Sequence, residues 1–557
     1  MLTRPNLPDK RMLRIAALPG LLLALCACFG FCLIAYDRVP YASPLLWAAA
    51  LGLTLVCTLL FCALWLALAK AEALLERAKP RFSGLFGRQW LLWLLILLCW
   101  TPCWLAVFPG NFAYDTGGEY DQCAFGFSRA YPRLHSWLNI EIINRRFGLT
   151  GSFNAGVALF TLLHMALLAL LFSWMLRRLH RLGLNGWVLL AGLVWCALFP
   201  TVQMLAVSPI RDMMFAGNLT ALCFLLVLLG RDRAAFWRSP GLILGLAALS
   251  ALTILSRNNS SPLLALCVLA LLALVLLLGA GKDNRRGALL FAAAAFLLYG
   301  GLNAFLSAAC RPEAEASVVS GYAALTQPIT RCYALDGKDW SEQERSLYAS
   351  FFRTEGQTYV ENDGDVSLAA LKKLRGENGL GDFARLWLTL FRRYPGTYLD
   401  AWLAHTRALW LPGDVIDGYV RSGGYEGRET CYFYYTRDLP GPGHFRELLP
   451  AVHDFYERIG TMLSFERIPV LREIFSVGFH FWLLLGTLFY LRWRRRQAGA
   501  LLLLLAYALL SALCPLILVR YFAALYLAFP LLLASLLQPG RLYAEQPRAV
   551  TVSADPK

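Results

Sequence analysis

Apolar residues in this chain come in long unbroken runs, not in the short alternations that mark elements with one wet face. A run of about 20 residues suits a hydrocarbon layer roughly 30 Å thick. About twelve such runs lie near 12–35, 46–69, 89–108, 153–175, 186–206, 212–229, 241–256, 262–280, 287–309, 471–491, 498–518 and 521–538. Each predicts a membrane-spanning helix, because Gly and Pro within several of them are tolerated in lipid. The first run is too long for a signal-peptide core and lacks a small-residue cleavage site, so it reads as a retained helix. Two polar stretches stand out, 109–152 and 310–470, the second long enough for a small domain. The expected fold is therefore an all-α polytopic membrane protein of about twelve transmembrane helices, with a mainly helical extracytoplasmic domain between the ninth and tenth. Its expected parts are an N-terminal helix pair (1–88), a core (89–309) with first outer loop 109–152, the domain (310–470), the last helices (471–540) and a tail (541–557). Inside the domain, 383–413 predicts two helices separated at Pro395. Trp387, Trp402 and Trp410 with Arg392, Arg393 and Arg407 would suit a helix lying in the outer headgroup layer, or equally one packed on the domain.

Composition agrees with a membrane protein, since 58% of residues are hydrophobic and only 16% charged. A net charge of +16 on one soluble face would point to nucleic acid, but here it follows alternate connections. Arg4, Lys10, Arg11 and Arg14 precede the first run, and Lys79, Arg81 and Arg88 follow the second. Arg177, Arg178 and Arg181, then Arg231, Arg233 and Arg238, then Lys282, Arg285 and Arg286, and finally Arg492 and Arg494 to Arg496 fill the later even-numbered connections. The positive-inside rule makes both termini cytoplasmic, and charge spread in this way calls for no nucleic-acid partner. Eleven of 15 cysteines lie in or beside apolar runs and read as small buried residues. Cys123, Cys310, Cys332 and Cys431 fall outside and allow a disulfide in three full pairings. No zinc-ligand spacing occurs, and Gly281-Lys282 lacks the rest of a phosphate-binding loop.

Three outer connections break the charge rule by placing one arginine each at the membrane boundary: Arg211 in "SPIRDMMF", beside Asp212, Arg257 in "LSRNNSS" and Arg520 in "LVRYFAAL". Desolvating guanidinium costs several kcal/mol unless it is paired, so such residues tend to face a protein interior and mark a site. Snorkelling to headgroups or a structural ion pair is the plain alternative for any one of them. Three together fit a shared anion, because guanidinium binds phosphate through a planar fork, and at the outer face of a membrane the simplest phosphate is lipid-linked. The first outer loop, "FPGNFAYDTGGEYDQ", supplies Asp115, Glu119 and Asp121. Asp115 could take the proton of an acceptor hydroxyl as a sugar leaves the lipid phosphate, while the arginines stabilise the charge left behind. Asp121 and Gln122 rank second, and Glu119 is expected to solvate the loop or cap a helix. Asp115 and Asp121 face one ligand only where the stretch is irregular, and then Mg²⁺ or Mn²⁺ could bridge them. His135 is a candidate helper base or sugar contact; His164 and His480, in or beside apolar runs, read as structural.

"PGNFAYD", "YPRLHSWL", "SPIRDMMFAG", "SRNNSSPLLAL", "TQPITRCYAL" and "RRYPGTYLDAWLAHTRALWLP", in this order, look like a family of uncharacterised bacterial multi-pass proteins. That family resembles the membrane glycosyltransferases of GT-C fold, over roughly residues 89–540, with the first two helices an addition before the shared core. The resemblance implies a polyprenyl-phosphate-linked sugar donor, a glycan or lipid acceptor, and an essential acidic residue in the first outer loop, here Asp115. The domain would select the acceptor, with Trp and Tyr to stack on sugars. The rival readings are a ligase or polymerase of lipid-linked polysaccharide and, behind it, a multi-pass transporter, which should show paired half-repeats.

Overall fold

Asp9 starts the first long helix by accepting the Met12 backbone N–H through its side chain at 2.5 Å. In this computed structural model residues 9–78, 82–112, 115–128, 131–257, 284–310, 312–314, 322–372, 379–414, 439, 441–460, 465 and 467–545 are described. Helix α1 (Lys10–Tyr36) turns back into α2 (Pro44–Arg77), and the two pack closely where Gly20 meets Thr58: a Cβ at Gly20 would lie 2.4 Å from the Thr58 hydroxyl. Small residues at such crossings let backbones approach in the absence of a hydrophobic drive. There follow α3 (Gln89–Ala106), α4 (Asp115–Phe125), α5 (Arg133–Thr150) and α6 (Phe153–Arg181). Next come α7 (Gly186–Leu198), α8 (Pro200–Ala206), α9 (Arg211–Arg231), α10 (Pro240–Leu255) and α11 (Arg285–Ala309).

The domain holds α12 (Ala323–Asp336), α13 (Glu342–Phe351), α14 (Gly364–Ala370), α15 (Leu380–Arg393) and α16 (Pro395–Trp410). After it come α17 (Pro450–Gly460), α18 (Val477–Trp493), α19 (Leu502–Ser511), α20 (Ala523–Leu527) and α21 (Phe529–Leu537). The chain is overwhelmingly helical. Among the described residues its strands are a minimal parallel pair, Phe127–Ser128 with Pro312–Ala314.

Six helices, α1, α2, α3, α6, α9 and α11, are long and apolar enough to cross a membrane, or eight if the bent pairs count as one span each. Those pairs are α7 with α8, bent 54°, and Val519–Leu527 with α21, bent 42°. The expected runs at 241–256, 471–491 and 498–518 form helices of 16, 17 and 10 residues, too short to qualify, and 262–280 lies outside the described residues. Length and apolarity thus indicate a membrane protein, with six to eight helices among the described residues able to cross.

Helix α9 is apolar on all sides, and 78% of its apolar window is buried, as expected of a helix surrounded by others. It is the post of the main core, where Phe215, Leu219, Leu222 and Phe224 are buried and the helix packs on α6, α10, α19 and α20. Its first residues, Arg211 and Asp212, are thereby enclosed by protein and kept from lipid.

The domain has its own core, built on Ile329, Trp340, Tyr348, Phe351, Leu386 and Leu390. Phe383, Trp387 and Phe391 of α15 pack against it, and the Trp387 indole donates to the Leu325 carbonyl at 3.1 Å. Helix α15 therefore lies on the domain. Arg393 pairs with Glu344, and Arg407 with Glu361 and Asp414, while Trp402 stays exposed.

The turn of the α1–α2 hairpin is clasped by the domain. Arg331 donates to the Asp37 carbonyl, to Asp37 Oδ1 at 3.1 Å and to the Tyr359 hydroxyl at 2.6 Å. Asp400 accepts from the Val39 N–H at 3.3 Å and the Tyr41 hydroxyl at 2.7 Å. Turn and domain hence share one side of the membrane. Cys123 is a free, exposed thiol, Cys310 and Cys332 are free and buried, and Cys431 lies outside the described residues.

Candidate functional site

Helix α4 is held against α5 by polar contacts: Tyr120 donates to Asn144 at 2.6 Å and Asn139 to the Thr116 carbonyl at 3.1 Å. Asp115 and Glu119, one turn apart, share a face, and that face meets the start of α9. Asp121 lies six residues from Asp115 in the same continuous helix, so it points elsewhere, and it is exposed. The irregular stretch that would let a cation bridge Asp115 and Asp121 does not form. Gln122 is a fastener: its amide donates to the Glu119 carbonyl and to Ser136 Oγ, and it accepts from the Ser128 N–H at 2.7 Å.

The three arginines, from three separate segments, come together here. Arg211 Nη2 lies 2.7 Å from Asp115 Oδ2, and Arg520 Nη1 lies 3.4 Å from the same oxygen. Arg257 Nε is 3.7 Å from Asp212 Oδ1. The guanidiniums of Arg520 and Arg257 sit 4.7 and 5.3 Å from the centre of the Tyr521 ring, and that of Arg211 is 5.1 Å from the Tyr131 ring. Arg520 Nη2 also donates to the Tyr521 hydroxyl at 3.0 Å. Such stacking suits guanidinium, which is weakly hydrated and planar.

The expectation for Glu119 as a solvating carboxylate is overturned. Its side chain is 1% exposed, with Oε1 3.4 Å from Arg211 Nη1 and Oε2 2.5 Å from His135 Nδ1. His135 is buried beside it, edge-on to Phe160. In contrast, Asp115 keeps 35% of its side-chain exposure while its arginine partners keep 6–7%. It is the member of the cluster that meets solvent. Burial alone would push the Asp115 carboxyl up, but Arg211 and then Arg520 outweigh it and hold the group below its ordinary value.

Two further features adjoin the cluster. From the domain, the Gly364 N–H donates to the Pro515 carbonyl at 2.7 Å, seating α14 on the segment that carries Arg520. A Cβ at Gly364 would lie 2.8 Å from that oxygen, so glycine is needed for the approach. The next residue, Asp365, is exposed and lies in the fields of Arg520 and Asp115. On the membrane side is a mainly apolar cavity of about 710 Å³, lined near the cluster by Leu134, Leu138, Met213 and Met214. It extends along α6 from His164 to Arg178, a helical rise of roughly 21 Å.

Sequence reasoning gave Glu119 the wrong surroundings and missed Tyr131, Tyr521 and Asp365. The spacing of four from Asp115 was an available signal for Glu119, and adjacency to Arg520 was one for Tyr521. Asp365 belongs to a distant polar stretch and had none.

Comparison with curated proteins and with solved structures gives no match. Residues 142–533, more than half the chain, match a family of unknown function; the stretch contains Arg211, Arg257 and Arg520 and begins beyond Asp115, Glu119 and His135. The chain is therefore a member of the family of unknown function DUF6020.

Proposed function

We propose that this protein is a membrane glycosyltransferase of GT-C type, in a bacterial cytoplasmic membrane with both termini cytoplasmic, moving a sugar from a polyprenyl phosphate to an extracytoplasmic acceptor. The carrying observation is the arginine cluster: Arg211 and Arg520 meet one partly exposed carboxylate, Asp115, with Arg257 beside them on Asp212, next to an apolar cavity whose lining includes Met213 and Met214. The lipid phosphate would take the place of Asp115 on Arg211 and Arg520. The cavity, with its apolar walls, suits the first isoprene units. In the transfer step the acceptor oxygen bonds to the sugar C1, its proton passes to the Asp115 carboxylate, and the bond from C1 to the phosphate oxygen breaks. The arginines then hold the charge of the released phosphate. The approach of α14 places the domain over the site, where it can select the acceptor.

The test is turnover by the purified protein with a panel of radiolabelled polyprenyl-phosphate hexose, pentose and aminosugar donors. Release of polyprenyl monophosphate, dependent on acceptor extract and on Arg211, is the expected result. Turnover only of a polyprenyl-diphosphate-linked oligosaccharide offered in parallel, with release of polyprenyl diphosphate, would instead mark a ligase or polymerase. Movement of solute across sealed vesicles, with no lipid product, would mark a transporter.

A further inference from the structure

Arg211 offers two edges, and different carboxylates hold them. Nη2 meets Asp115 at the solvent side, and Nη1 meets Glu119 in the interior. The interior side is the more elaborate. Glu119 Oε2 accepts from Ser136 Oγ at 3.4 Å and stands 2.5 Å from His135 Nδ1; facing a carboxylate, that nitrogen carries the proton. His135 and Ser136 are themselves 2% and 0% exposed. Stability alone does not call for a buried carboxylate with this many partners, since a buried ion pair is often no better than an apolar replacement. The arrangement has a use if Arg211 must stay in place while its outer partner changes.

We infer that Glu119 and His135 are positioning residues: His135 fixes the carboxylate of Glu119, which holds the Nη1 edge of Arg211 so that the Nη2 edge is presented to an anionic ligand. This rests on the lipid-phosphate reading above. A phosphate arriving at Nη2 displaces Asp115 from its 2.7 Å contact. Without Glu119 the guanidinium would then be free to rotate, and a loosely held fork loses the bidentate geometry that makes arginine selective for phosphate. With Glu119 in place the guanidinium plane is set before the ligand arrives.

The test measures binding of polyprenyl monophosphate to the purified full-length protein in detergent, with inorganic phosphate as the headgroup-only control. Glu119→Gln should weaken lipid-phosphate binding by about 10–100-fold, the range seen when the outer partners of a bound ion's ligands are removed. In an Arg211→Ala background the same change should have no further effect, whereas a residue that merely holds the fold together would weaken both backgrounds alike. His135→Ala should weaken binding, and His135→Asn, which keeps a donor near the Nδ1 position, should restore most of it. These two variants carry the test if Glu119→Gln does not elute as a folded protein. Unchanged binding in Glu119→Gln, an equal loss in both backgrounds, or no rescue by Asn would each overturn the inference. Failure of the wild-type protein to bind polyprenyl monophosphate would overturn the underlying reading instead. Equal affinity for inorganic phosphate would show that the anion is free phosphate rather than lipid, with the Glu119 effect still expected.

Discussion

Asp115→Asn should separate binding from chemistry, moving them in opposite directions. The variant takes one negative charge from a cluster in which Arg211, Arg257 and Arg520 face Asp115, Glu119 and Asp212. It also frees the Nη2 edge of Arg211, which Asp115 occupies at 2.7 Å. A carboxylate about 6 Å from a phosphate repels it by roughly 3 kcal/mol at an effective dielectric constant of 20. Because Asp115 is 35% exposed, solvent screening reduces this to about 1.4 kcal/mol, or tenfold in affinity. The variant should bind polyprenyl monophosphate about tenfold more tightly, while transfer falls by about 10²–10⁴, the usual contribution of a positioned base. Equilibrium binding and single-turnover release of the lipid product give the two readings. The pH profile adds a third. The arginines hold the free carboxyl below its ordinary value, so the acid limb of kcat/KM should lie below the usual carboxylate range. In the complex the phosphate shares those arginines and adds negative charge, so the acid limb of kcat should lie higher. Transfer at the wild-type rate in Asp115→Asn would show that the proton goes elsewhere, and weaker lipid binding would refute the charge reasoning.

Lysine at Arg257 or Arg520 keeps the charge but loses the planar contact with Tyr521, and should lower affinity for polyprenyl monophosphate about tenfold; unchanged affinity would mean that a point charge suffices. Burial, reinforced by Asp365, pushes the Asp363 carboxyl up to about 6. Its folded state therefore holds the proton more tightly than the unfolded chain does, so its contribution to stability is lost as pH rises from the ordinary carboxylate range through about 6. Asp363→Asn, which keeps the cap on the Asp365 N–H, should raise stability by about 2 kcal/mol at neutral pH and by nothing near pH 3; equal melting shifts at both pH values would refute this. The exposed thiol of Cys123 should react with a membrane-impermeant maleimide on intact cells, and a cysteine at Leu182 should not; the reverse pattern would invert the proposed topology.

The arginines were legible because their positions conflict with a strong prior: charge at a lipid boundary is costly, and three such exceptions on one side of the chain needed a common cause. Asp115 was legible through its place just after an apolar run. Glu119 was not, although it sits in the same stretch, because composition makes a carboxylate in a polar loop look solvated. Only the packing of α4 on α5 reveals that its side chain is enclosed. The condition set for Asp121, an irregular stretch, is not met, because the chain there forms a regular helix. Apolar runs report composition and not helix length or straightness, so the run at 186–206 is a helix pair bent after Leu198 and 521–538 belongs to one bent after Leu527. The domain's approach through Gly364 depends on a contact with Pro515 across 151 residues, far beyond any local pattern.

The clasp on the α1–α2 turn bears on how the protein is made. Arg331 reaches Asp37 across 294 residues, and Asp400 reaches Val39 across 361. At the usual pace of synthesis, about 5–20 residues per second, a ribosome needs roughly 15–70 s to supply those partners after the turn has emerged. For that interval the turn's polar groups are served by water, and the hairpin waits in the bilayer without its lock. Closing so long a loop adds little entropy beyond a shorter one, so the delay is set by translation and not by chain diffusion. A nascent chain arrested before Asp400 should then leave Tyr41 open to modification, and one arrested well beyond it should protect Tyr41, which makes this turn a built-in timestamp for when the domain comes to rest on the membrane helices.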